Sequence, residues 1–122
     1  MNDVCRMIKK QTVTNFSNME TAIKTYDRNA SVCGTPAWRY VYHAIHSADK
    51  WFFNPSKFTE PDFHENGMDN PDNPCNVVLS DTELLDYLHK VQIKTENYLD
   101  NLSDEELNEK PQGCEYTRLE LI

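Results

Sequence analysis

From Asp3 to Tyr26 the apolar positions Val4, Met7, Ile8, Val13, Phe16, Met19, Ile23 and Tyr26 recur at steps of three and four, broken by one step of five. That spacing lays one apolar stripe along a long first helix. The chain should leave it near Asp27-Arg28-Asn29 and loop to Gly34-Thr35. There Thr35 has the chemistry of an N-cap, and Pro36 suits a first helical position, where its missing N–H is no loss. The second helix is expected to run to about Asn54, where Asn54-Pro55 stops it. Residues 55–79 hold four of the six prolines and several Asp and Asn, with no sustained period. They predict a long loop, either a surface excursion anchored by Phe58 and Phe63 or a lid. Ser80 with Glu83 forms a capping box that opens a third helix. Its apolar face is expected from Leu84, Leu85, Leu88, Val91, Ile93, Tyr98 and Leu99, continuing to about Leu102. Ser103 with Glu106 repeats the box and opens a short helix ended by Pro111-Gln112-Gly113. Thr117 with Glu120 begins a further helix whose apolar pattern stops at Ile122.

The only short β candidate is Val77-Val78-Leu79, so the predicted fold class is all-α: an up-down-type bundle of three long helices, a short helix and the start of a fourth. The 122 residues suffice for a single domain, 1–122, with one core. An unfinished fourth helix would leave an apolar groove, covered by a second copy in a homodimer unless the chain is a C-terminally truncated piece of a longer one.

Twelve basic against twenty acidic residues give a net charge of −8. A surface of that sign repels phosphate backbones and anionic lipids, which argues against nucleic-acid and membrane partners. No apolar run approaches the roughly 18 to 20 residues of a membrane span, and the polar start Met1-Asn2-Asp3 leads into no signal-peptide core. A cytoplasmic protein is expected. Cys5, Cys33, Cys75 and Cys114 lie far apart without a CxxC pair and read as free thiols. Cys33, in a loop before a helix, is the one with the best claim to a functional role.

Histidine is where chemistry could lie. His43 and His46, three apart on the second helix, could both reach one metal ion. The apolar stripe expected there, through Val41, Ala44, Ala48 and Phe52, leaves His43 off its centre and His46 further round. His64, in the acidic loop, and His89, beside Lys90, read as surface residues. GxSxG, P-loop, GxGxxG, HExxH and EF-hand patterns are absent, and neither helical histidine follows a Glu by three as di-iron bundles require.

The stretch from Pro36 to Phe52, with Trp38 near its start, His43 two turns on, then Asp49 and the aromatic Trp51, resembles the second helix of the DinB-like superfamily. That four-helix superfamily includes the bacillithiol- and mycothiol-dependent transferases. The resemblance implies a divalent metal, Zn²⁺ or Ni²⁺, held by one histidine of helix two and an HxxxH-type pair of helix four. On matching positions the helix-two ligand is His43, with His46 the fallback. No such pair occurs before Ile122, so this chain by itself is expected to be metal-free or weakly loaded. With a complete fourth helix, the implied activity is a metal-dependent hydrolase or thiol transferase acting on a small-molecule or thiol substrate. The competing expectation is a non-enzymatic helical module that self-associates through its open groove.

Overall fold

A computed structural model describes residues 3–122; Met1 and Asn2 of the polar start lie outside the described residues. The chain is mostly helical: α1 (Asp3–Thr25), α2 (Ala37–Trp51), α3 (Asp81–Asp100) and a short α4 (Arg118–Leu121). One-turn 3-10 segments sit at Pro55–Lys57 and Glu105–Asn108. No helix among the described residues is long and apolar enough to cross a membrane. The capping boxes at Ser80/Glu83 and Thr117/Glu120 both form, each with its two reciprocal hydrogen bonds. Ser103 and Glu106 pair in the same way, but the segment they open is 3-10.

The stripes differ from those expected. On α1 the buried residues are Cys5, Thr12, Phe16 and Ile23, while Val4 and Met7 face solvent. Thr12 occupies the place where the apolar series had its step of five, so a stripe through 5, 8, 12, 16, 19 and 23 keeps the helical period unbroken. On α3, Thr95 is buried and Ile93 is 61% exposed, for the same reason. On α2 the buried centre is Trp38, Arg39, Tyr42, Ile45 and His46, while Val41, Ala48 and Phe52 of the expected stripe are only partly buried at its edge. Aromatic area outweighs alanine in deciding which face is buried.

α1 and α3 are antiparallel. The start of α1 packs Cys5 against Leu99, Leu102 and Leu107, and the chain just past its other end bonds Tyr26 Oη to Asp81. α2 runs alongside α3 in the same direction, with Tyr42 against Tyr87 and Phe52 against Tyr98. The directions therefore run up, down, down. A 15-residue helix is about 22 Å long, so the connection between α2 and α3 must return that distance, which accounts for its length. Met68 and Leu79, both fully buried, and the packed Phe63 anchor it to the main core.

Between α1 and α2 the chain forms a two-residue antiparallel ladder, Ser31–Val32 with Thr35–Pro36, where a plain loop is expected from sequence. Thr35 is thus a strand residue; Pro36 takes the N-cap position without a side-chain bond. The turn residues Cys33 and Gly34 have φ of 53° and 81°. A two-residue turn with both φ values positive matches the twist of the strands it joins, and it suits Asn-Gly better than Cys-Gly. Replacing Cys33 by Asn is expected to stabilise the fold by about 0.5 kcal/mol, read from the urea midpoint; a lower midpoint would contradict this account. All four cysteines are free, and Cys33 is exposed on this turn.

Candidate functional site

Two rows of side chains meet the long connection. Thr35 of the hairpin and Arg39 and His43 of α2, four residues apart, hold successive carbonyls of the connection. Arg39 Nη2 donates to the carbonyls of Met68 and Asn70, both at 3.0 Å. His43 Nδ1 donates to that of Asp69 at 2.7 Å, and Thr35 Oγ1 to that of Pro71 at 3.0 Å. Four consecutive peptide oxygens, 68 to 71, are thereby fixed, three by α2 and one by the hairpin. His43 is exposed in this row and lies outside the cluster described next.

The second row, Trp38, Tyr42 and His46, meets the connection at its other titratable residues. A tight turn closed by the His64 amide and the Pro61 carbonyl, at 2.9 Å, places Glu60 and His64 on one side of the loop. His46 Nε2 and Glu60 Oε2 are 2.7 Å apart, and His64 Nε2 lies 3.4 Å from the same oxygen. Asp69 Oδ1 is 3.6 Å from His64 Nε2. The two imidazoles stack with centroids 4.8 Å apart, and Phe58 stands edge-on to His46. The imidazole side chains are 3% and 6% exposed, whereas Glu60, at 45%, faces solvent. His64, expected from sequence at the surface, is drawn inward by Tyr42, whose Oη lies 2.5 Å from its Nδ1. His89 is a surface residue, beside Glu20.

Burial, reinforced by the charges of Glu60 and Asp69, pushes the Tyr42 hydroxyl well above its ordinary pKa, so it stays protonated at neutral pH. Tyr87 is pushed up in the same way by burial and by its 2.7 Å bond to Asp49. Asp49 also accepts from Lys94 Nζ at 2.6 Å, which ties the acidic position of α2 to α3.

One ligand atom each from His46, Glu60 and His64 lie within 4.8 Å of one another. Ligands on a tetrahedral zinc ion with bonds near 2.05 Å are about 3.3 Å apart, so the His64–Glu60 spacing already fits, the His46–Glu60 pair would have to open, and the two stacked imidazoles would have to turn toward a common point. With Nε2 as the ligand atom, Nδ1–H of His64 donates to Tyr42 Oη, the outer partner that a metal-bound imidazole usually has. Without an ion, the His46 ring donates to Glu60 and His64 shares a hydrogen bond with Tyr42.

Sequence reasoning put His43 first as the α2 ligand and His46 second, and missed Glu60 and His64; of the two helical histidines only His46 lies in the cluster. The signal available was a carboxylate and an imidazole four residues apart, Glu60 and His64, between the aromatic anchors Phe58 and Phe63. Comparison of the chain with protein-family models, curated proteins and solved structures gives no match.

Proposed function

We propose that this chain is a divalent-metal-binding helical domain in which His46 on α2, with Glu60 and His64 from the long connection, holds Zn²⁺ or Ni²⁺. The observation that carries this reading is the convergence of two largely buried imidazoles and one carboxylate within 4.8 Å. Two imidazoles and a carboxylate are a donor set that zinc sites use with a fourth position open, and Asp69 stands near enough to His64 to approach that position. A divalent ion bound there supplies Lewis acidity and a water or thiol of lowered pKa, the chemistry of a hydrolase or thiol transferase. The chain's own residues prepare the place. Tyr42 fixes the His64 ring, Phe58 shields His46, and the row from Thr35 to His43 keeps Asp69 in register. Two clefts lie nearby, of about 300 Å³ lined by Pro61, Phe63 and Tyr87 and about 350 Å³ lined by Phe58, Thr59 and Lys94, and none of His46, Glu60 and His64 lines either of them. Either is large enough for a small substrate. The DinB-like resemblance of α2 enters this proposal in altered form: the single helix-two ligand is the fallback His46 in place of His43, and the other two come from the loop in place of a fourth helix.

Equilibrium dialysis of tag-free protein against Zn²⁺, followed by metal analysis, tests the assignment. One ion per chain is expected in the parent and in His43→Ala, and none in His46→Ala or His64→Ala, each shown to be folded by circular dichroism. A parent that retains no zinc, or retention undiminished in both variants, overturns it. A second reading, self-association as a homodimer, is favoured by the cleft of about 330 Å³ between α1 and α2, where Phe16 and Met19 face Trp51 and Phe52. Light scattering on the same samples decides this: a mass of one chain removes it.

A further inference from the structure

Arg39 is a buried cation without an anionic partner. It is 4% exposed, its Nη2 is spent on two peptide carbonyls, and its Nε–H has no acceptor. No carboxylate lies within ion-pair distance of it among the described residues. Arg28, by contrast, has Asp81 at 2.7 Å. A guanidinium withdrawn from water and answered only by neutral dipoles leaves a positive potential that a charged acceptor would satisfy better.

Arg39 lines an open cleft of about 380 Å³ between the hairpin and residues 71–75 of the connection. That volume lies in the range of small-ligand sites. Its other walls are mixed: Trp38, Pro36, Pro74 and Val78 are apolar, and Thr35, Asn73 and one acid, Asp72, are polar. Trp38 has the guanidinium groups of both Arg28 and Arg39 within 6 Å of its ring, at 5.8 and 5.9 Å. One buried positive charge, an aromatic wall and a nearby carboxylate select a ligand with a single negative charge and an apolar body. A dianion would be repelled by Asp72, and a neutral aromatic would leave Arg39 unanswered.

We infer that this cleft binds a small apolar monocarboxylate, with its carboxylate directed to Arg39 and its body against Trp38. The site is separate from the His46–Glu60–His64 cluster and needs no metal. Fixing the carbonyls of Met68 and Asn70 occupies Nη2 and Nε is closed off from solvent, so Nη1 is the nitrogen left to meet an anion while the loop stays anchored.

Calorimetric titration with benzoate, benzyl alcohol and inorganic phosphate tests the inference. Benzoate is expected to bind saturably, and benzyl alcohol at least about tenfold more weakly, since a charge-assisted hydrogen bond to Arg is what it lacks. Arg39→Gln should lose benzoate binding. Because that variant also loosens the loop, Asp72→Asn provides the independent arm: it removes a repelling charge, leaves the Arg39 bonds intact and should tighten benzoate several-fold. Absence of saturable benzoate binding overturns the inference. So does equal binding of benzoate and benzyl alcohol, or an Asp72→Asn variant no tighter than the parent. Phosphate binding more tightly than benzoate overturns the assignment to a monocarboxylate.

Discussion

Zinc at a hundredfold excess over its dissociation constant is expected to stabilise the native chain by about 2.7 kcal/mol, because the three ligands are assembled only in the folded state. For a domain of this size that is a rise in Tm of roughly 10 °C. A chelator should reverse it, and magnesium should not reproduce it, since that ion prefers oxygen ligands. The effect should vanish in His64→Ala, which leaves the core of Met68 and Leu79 in place. Tyr42→Phe is the finer probe. It keeps the ring, which is fully buried, and removes only the hydroxyl next to His64 Nδ1. Loss of such an outer partner weakens a metal site by about tenfold or more, so the zinc-induced rise should shrink without disappearing. A melting curve unmoved by zinc would mean that the cluster is a hydrogen-bond network and nothing more.

Truncation of Leu88 to alanine should cost about 3 kcal/mol and lower Tm by roughly 10 °C, because the side chain is fully buried in the main core and its neighbours can only partly fill the space. The matching change at Ile93, an aliphatic residue of equal size five positions on, should stay within about 0.5 kcal/mol, because that side chain is mostly in water. Urea denaturation of both variants measures the contrast. Equal losses would mean that the face of α3 assigned to the core is wrong.

That contrast also shows how far the sequence could be read. Helix starts were legible at Ser80 with Glu83 and at Thr117 with Glu120, where a local hydrogen bond defines them, while the same pairing at Ser103 and Glu106 leads only into a 3-10 turn. The buried faces were legible in period but not in phase. Counting only apolar residues passes over Thr12 and Thr95, which sit in the core, and admits Val4 and Ile93, which do not. On α2 the same bias favoured the alanine side over Trp38, Tyr42 and His46. The candidate site was legible only in its helical part. Glu60 and His64 come from a segment without periodicity, and they meet α2 through the tertiary contacts of Glu60 with His46 and of His64 with Tyr42, which residue spacing does not encode. His43 attracted attention because it is a helical imidazole, and its hydrogen bond goes to the carbonyl of Asp69. Arg39 drew none, since an arginine on a helix is ordinarily solvated.

The antiparallel match of α1 with α3 imposes an order on biosynthesis. The first helical amides, those of Val4 and Cys5, are received by the carboxylate of Asp104, about a hundred residues away, and the Cys5 thiol waits for Leu99 and Leu102. Until that stretch leaves the ribosome, the amino-terminal rod has no surface on which to dock, and isolated helices in water are at best marginal. Everything up to about Leu107 must therefore emerge before α1 can dock, and until then its inward stripe is open to chaperones and to neighbouring nascent chains.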